Sequence, residues 1–402
     1  MSTVAVRVRP STHAGISATL FLALFAGQAG LIAVSPVLAE LAADLGVSTA
    51  VAGQLRMVTG LVAGVAALAL VSLAGRIGLG TQLFAGAAFV AVGSLASALA
   101  PTFLLLAAAQ APIGVGVALV TTAGTVAAAE WVPDEHRTRV LSWALVGQPA
   151  AWIVGMPLVG AVGETSWRLG FVVLPFASAL VAASVLLRRA GDAPRTVEPV
   201  RLGGAFVNRD LRLWVSGELL ANSAWAGTLV FAGALFVESY GVSVALTGFL
   251  LATAAVAYVA GTFTFRRLVG VHDRRRLVAL GLVLAALVAL FGAARSGPAV
   301  STILFSAAAF VAGGRTLVSS SVGLSVAPEL RSAVMAGRAA TMQFGYFLGV
   351  VLAGAGLAIA GYAGLGAAMA LLFVGAAALF APCALGSNVC YPARVAPSSS
   401  PA

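Results

Sequence analysis

The chain has 402 residues, of which 60% are hydrophobic and only 9% charged. That balance lies far from the soluble range and argues against a water-soluble enzyme or a nucleic-acid-binding module, despite a net charge of +10. All 23 basic residues are Arg, and they sit in short loops rather than along one basic face, so they bear on membrane topology. The two cysteines, Cys383 and Cys390, stand together near the C-terminus and support neither a metal site nor a disulfide framework.

Along the chain, Arg7 and Arg9 precede a first apolar run in the manner of a signal peptide. No small-residue cleavage site precedes a soluble domain, so this run reads as an uncleaved first helix. Apolar segments of about 18 residues or more then follow one another, each long enough to cross roughly 30 Å of hydrocarbon. Twelve spans are predicted, at 14–36, 50–73, 82–100, 102–128, 139–162, 170–188, 213–236, 243–264, 277–294, 298–322, 334–358 and 363–383. Pro101, Gly297-Pro298 and Gly361-Tyr362 mark tight hairpins. The longest interruption is polar and contains Pro194 and Pro199. It suggests a six-helix bundle over 1–188, a linker over 189–212, a second bundle over 213–383 and a disordered tail over 384–402.

An internal repeat supports this division. Gly46-Val47-Ser48, with Gly53 and Leu55 after it, recurs as Gly241-Val242-Ser243 with Gly248 and Leu250, each pair 195 residues apart. Pro133-Asp134 and Pro328-Glu329 keep the same offset. Two equal halves are a common plan for secondary transporters. With the N-terminus placed in the cytoplasm, nineteen Arg fall on that side against three, Arg56, Arg168 and Arg295, on the other; Arg315 lies within a span. The positive-inside rule then puts both termini in the cytoplasm.

Six plus six spans, a basic central loop and a repeat at this offset resemble the major facilitator superfamily, across residues 14 to 383. Finer motifs are similar to its twelve-helix drug:proton antiporter group. Ser35-Pro36-Val37-Leu38 followed by Leu41-Ala42-Ala43-Asp44-Leu45-Gly46 resembles that group's end of helix one, and Trp167-Arg168 with Phe171 its boundary between helices five and six. Gly147, Gly155, Pro157 and Gly160 resemble the antiporter motif of helix five, although Met156 and Ala161 depart from it. The loop between spans two and three keeps Arg76 and Gly78 of the superfamily signature, but Gly75 stands at its acidic position and Leu79 and Gly80 at its later basic ones. The helix-four Arg of the antiporters is Gln110 here.

Few charges remain inside the spans. Glu218, with Asn222 and Trp225 along one face of span seven, is the candidate for proton coupling, because an intramembrane carboxylate is costly and faces a partner or a cavity. Arg315 of span ten, with Ser319 one turn on, is its candidate partner, or else an anchor for an anionic group. Gln28, Gln54, Arg56, Gln110, Gln148, Trp152, Gln343 and Tyr346 are further candidates for lining a substrate cavity. Each also has a plainer reading as helix-packing contact or interfacial residue. All three His, at 13, 136 and 272, fall in cytoplasmic segments.

Together these readings predict an all-α bundle of twelve membrane helices in a bacterial inner membrane. The expected function is proton-coupled efflux of a small organic or drug-like molecule by alternating access. A facilitator or importer of a metabolite is the alternative, and a membrane enzyme or sensor a remote one. The expected partners are a small-molecule substrate, protons and lipid, acting on a monomer with no cofactor, metal or nucleic acid. No Lys and no Gly-rich phosphate loop are present, which disfavours ATP hydrolysis.

Overall fold

A computed structural model of the chain describes residues 13–72, 76–190, 209–268, 273–324 and 331–384. The core of the expected linker, residues 191–208, lies outside them, as do the tail from residue 385 and positions 73–75 of the loop motif. Hydrocarbon offers no partners for backbone amides, so apolar segments of this length close their hydrogen bonds internally as helices. Six such helices make the first half: α1 (His13–Ile32), α2 (Thr49–Leu70), α3 (Leu79–Leu99), α4 (Phe103–Glu130), α5 (Asp134–Gly163) and α6 (Trp167–Arg189). The second begins with α7 (Arg209–Tyr240), α8 (Val244–Phe265), α9 (Asp273–Ala293) and α10 (Pro298–Leu324).

The last helical stretch, Arg331–Ala384, turns back on itself at Ala360 and Gly361, where Gly361 has φ 61° and ψ −155°. Its two limbs both run along α7: Gly345 abuts Asn222 in one, and Met369 and Phe380 face Gly227 and Gly217 in the other. These limbs are α11 (331–359) and α12 (362–384), and they complete twelve crossings. The helices alternate in direction, so both ends of the bundle share one side, the terminal face, and the connections that leave α1, α3, α5, α7, α9 and α11 lie on the opposite, far face.

The repeated motif builds the same turn twice. Gly46 and Gly241 both take up the left-handed conformation, φ 63° and 64°, which a glycine reaches without steric cost. Ser48 and Ser243 then cap the following helices, accepting from the backbone N–H of Val51 and Leu246 at 3.3 Å in each case. Three local features depart from the expected spans. Helix α1 stops at Ile32 and is followed by a short helix, Leu38–Asp44; α2 is interrupted at Gln54; and α6 holds a π-helical turn, Val172–Phe176, around Pro175.

The halves meet at the far face. Ser35 donates its hydroxyl to the carbonyl of Leu229 at 2.7 Å, and Gln54 its amide to that of Val350 at 3.2 Å. The backbone of Gly233 lies directly against the Ser35 carbonyl. Gly160 of α5 and Gly248 of α8 also pack backbone to backbone, where a Cβ on Gly160 would stand 2.7 Å from the Val244 carbonyl oxygen. Midway along the bundle, Gly60 and Gly64 of α2 admit α11 at Gln343, Phe344 and Tyr346.

Candidate functional site

Helix α7 organises the polar groups of the second half. Residues 214, 218, 222 and 225 follow helical spacing down one face, and each finds a partner on α8, α10 or α11. Trp214 donates its indole N–H to the Ser319 carbonyl at 3.1 Å. One turn on, Glu218 Oε1 lies 2.8 Å from Arg315 Nη2, with the two residues only 2% and 4% exposed. The two atoms touch but are not aligned as a hydrogen bond, so the contact is an ion pair by distance alone. Asn222 donates to the Thr341 hydroxyl at 3.2 Å, and Trp225 stacks between Phe305 and Tyr258.

Arg338 joins this cluster from α11. It donates to the Ser320 hydroxyl and, at 3.4 Å, to the Thr316 carbonyl. Counted above among the Arg of the cytoplasmic side, it is half-buried near the start of α11, within the predicted span 334–358. Only a position read against α10 could have revealed its partners, because in sequence it follows a polar turn.

The first half contributes one buried charge. Arg56 is 2% exposed, although its place near the start of α2 suggested the interface. Its guanidinium lies 4.7 Å from the centroid of the Tyr346 ring. Neither Nη1 nor Nη2 has an aligned hydrogen-bond acceptor among the described residues. Beside it a space of about 10 Å³, room for a single water, is walled by Ile32, Trp152, Leu229, Val230 and Tyr346. The structure thus brings together Arg56, Trp152 and Tyr346 of the expected cavity set. Gln343 is nearby in sequence and buried, with its Oε1 lacking a partner among the described residues.

Gln110 is not part of this space. It is fully buried between α3, α4 and α2, donating to Ser97 at 2.9 Å and lying 3.3 Å from the Thr59 hydroxyl. The Gln110 amide ties three helices together. Gln28 and Gln148 are half-buried on α1 and α5 and make no hydrogen bond to a described residue.

The conformational motifs divide similarly. Arg76 is exposed, and Gly78 is the buried residue that precedes α3. Gly80, at one of the signature's basic positions, is pressed against the Arg189 backbone, which leaves no room for a side chain. Gly147 and Gly155 let α5 approach α1 within the first half, whereas Gly160 faces the second. Helix α5 runs unbroken through Pro149 and Pro157.

At the far face, residues distant in sequence form a polar seam. Asp44 accepts from Trp167 Nε1 at 2.9 Å and from Arg168 Nη1 at 2.6 Å. The hydrogen bond from Arg168, then that from Trp167, holds the Asp44 carboxyl below its ordinary range. Glu238 accepts from Thr49 across the seam and from Tyr362 at 2.8 Å. Glu40 is half-buried close by, with one carboxylate oxygen unpartnered among the described residues. Burial pushes its carboxyl above the ordinary value of 4.5, a backbone hydrogen bond opposes the shift, and Glu238 adds repulsion. Neither Glu40 nor Glu238 stood out in the sequence, since each looks like a solvated residue at a helix end.

A carboxyl whose affinity for protons is higher when the far face is closed makes closure proton-linked. Closure is expected to tighten as pH falls through the raised range, and to gain nothing more below about 4.5, where the hydrated group protonates as well. Labelling of a cysteine at Val230 by a membrane-impermeant thiol reagent, in a background lacking Cys383 and Cys390, should slow on acidification. In Glu40→Gln the labelling should be slow at every pH. An unchanged pH profile in that variant would remove Glu40 from the gate.

Comparison with known proteins agrees with this architecture. The structure of a bacterial homolog of the human lysosomal transporter Spinster, in an inward-facing and occupied conformation, superposes with a TM-score of 0.71 at 15% identity, covering 92% of this chain and 95% of that one. The nucleoside transporter NupG, in a mutant form, gives 0.69 at 13% identity over 92% and 99%. At such identities the likeness concerns the fold. No curated protein matches the sequence. The family profile described as Major Facilitator Superfamily matches residues 20–237, more than half of the chain. Twelve apolar helices in two repeated halves, this match and the superposed transporters agree, and the chain belongs to the major facilitator superfamily.

Proposed function

We propose that the protein exports a small organic molecule in exchange for protons, in a bacterial cytoplasmic membrane with both termini in the cytoplasm. One observation carries this reading: Glu218 and Arg315 form a buried ion pair between two helices of the second half. A proton on Glu218 cancels its charge and frees Arg315, so occupancy by a proton changes the electrostatics of the core in one step. The two bundles, 1–188 and 213–383, are taken as rigid bodies joined by the linker 189–212, the monomer being the working unit. Backbone-close contacts at Gly233 and Gly160 seal the far face, and their separation would expose the core to that side.

A second reading, uptake or facilitated passage of a metabolite, also has an observation in its favour. Arg56, Arg315 and Arg338 outnumber the single acid Glu218 among the bundle-core groups described above. A proton on Glu218 then leaves the core more positive and favours an anion. Proton and anion would bind together, as uptake requires, whereas antiport requires them to compete.

Inverted vesicles separate the two. Wild type, Glu218→Gln and Arg315→Gln are energised, and lumenal pH is followed by a dye while a panel of organic cations, anions and neutral compounds is added. Export by antiport is expected to release protons from wild-type vesicles on addition of substrate and not from Glu218→Gln. Equal release from both would remove Glu218 from coupling. Equilibration of a labelled compound without proton movement would favour facilitation.

A further inference from the structure

Arg56 has no part in the coupling described above, and its surroundings do not account for it. A lone cation out of water is among the most costly groups in a protein core, and within a membrane bundle it is retained for a partner or a ligand. The structure supplies no carboxylate to Arg56 among the described residues, and neither terminal nitrogen has an aligned acceptor, the Tyr346 hydroxyl being an oxygen near enough to interact. What it does supply is one aromatic face, Tyr346 at 4.7 Å, and a small space with a second aromatic wall at Trp152. The other walls, Ile32, Leu229 and Val230, are aliphatic. Ser35, the remaining polar group there, is already committed to the Leu229 and Val230 carbonyls.

These walls belong to both halves: α1, α2 and α5 on one side, α7 and α11 on the other. The space therefore opens and closes as the halves part and rejoin, as the substrate path of a transporter must. Its chemistry is one guanidinium with unused donors set in apolar and aromatic surface. The complement is a carboxylate, which a guanidinium grips with two parallel hydrogen bonds, carried on an apolar body. An inorganic anion would satisfy the charge and leave the aromatic walls unused. A cation would be repelled.

We infer that Arg56, with Trp152 and Tyr346, forms the subsite for the anionic group of the transported molecule, a small amphipathic organic monoanion. The carboxylate sits on the Arg56 guanidinium and the apolar body lies against the two rings. This rests on the reading of the chain as a transporter with its path between the halves.

The test uses the full-length protein in lipid nanodiscs. 1-Naphthoate and octanoate are titrated against wild type and Arg56→Gln, each beside its neutral amide, with binding followed by calorimetry. Wild type is expected to bind the carboxylates at least about ten-fold more tightly than the amides, and Arg56→Gln to bring that ratio close to one. The ligand-free variant should melt no lower than wild type, because it loses an uncompensated buried charge. The inference is overturned if neither carboxylate binds wild type, or if the preference survives Arg56→Gln. It is also overturned if sulfate alone competes as well as naphthoate. A ligand-free variant that melts well below wild type, or does not fold, would mark Arg56 as a structural cation and overturn it as well. Absence of proton release in vesicles alongside charge-selective binding would remove the antiport reading and leave this one standing. Proton release by neutral compounds, with no carboxylate preference, would do the reverse.

Discussion

Glu218→Leu is expected to destabilise the protein by about 3–5 kcal/mol, since it strands a guanidinium that is buried almost completely. Arg315→Leu should cost less. A carboxyl left alone can shed its charge by taking a proton, whereas a guanidinium stays charged at any depth. The double variant should recover most of the wild-type stability, because replacing both ions by apolar groups leaves nothing uncompensated. Thermal unfolding of the three proteins in one detergent would show the order: wild type and the double variant together, then Arg315→Leu, then Glu218→Leu. If the double variant is no better than Glu218→Leu, the two charges are not energetically coupled, and the 2.8 Å approach carries no such energy. The stable double variant should still transport nothing against a gradient under the antiport reading, which separates a fault in folding from a fault in coupling.

The second large effect is expected at the far-face seam. In Gly233→Val the new side chain meets the Ser35 carbonyl of the other half, and in Gly160→Val it meets the Val244 carbonyl. Each half can keep its own packing, so both variants should fold while the far face fails to close. Transport should fall to background, and a cysteine at Val230 should become freely labelled from that side. Gly349→Val is the contrasting case. Its side chain would enter the Ser223 backbone within the same half, so this variant is expected not to accumulate. Normal transport by Gly233→Val would mean that the seam is not a gate.

The spans were legible because each crossing needs a long apolar run, and because the turns between them are punctuated by residues such as Pro101, Gly297 and Gly361. The repeat was legible for a related reason: Gly46 and Gly241 fill a backbone conformation that few other residues tolerate. Glu218 and Arg315 were legible as ionisable residues inside apolar runs. Depth was not. Arg56 and Arg338 lie close to polar turns in sequence, where a long side chain usually reaches water, and only the neighbouring helices show that Arg56 is buried and that Arg338 is held by Thr316 and Ser320. Gln110 is the converse, an amide whose three-helix connection depends on Thr59 and Ser97 from other helices. The grouping of Glu40, Thr49, Glu238 and Tyr362 is purely tertiary.

The paired glycine turns have a consequence for ancestry. A chain made of two copies of one unit begins with every side chain present twice, yet the charges of this core have no matching partners at the 195-residue offset. Arg56 corresponds to Leu251, Glu218 to Ala23, Arg315 to Val120 and Arg338 to Trp143. The glycines and serines of the two turns are the same in both copies, while the charges buried in the core are not. The backbone turn is thus common to the two halves, whereas each half carries its own set of buried charges. An exchange of the two halves would preserve the shape of this protein and reverse which side of its core holds the acid.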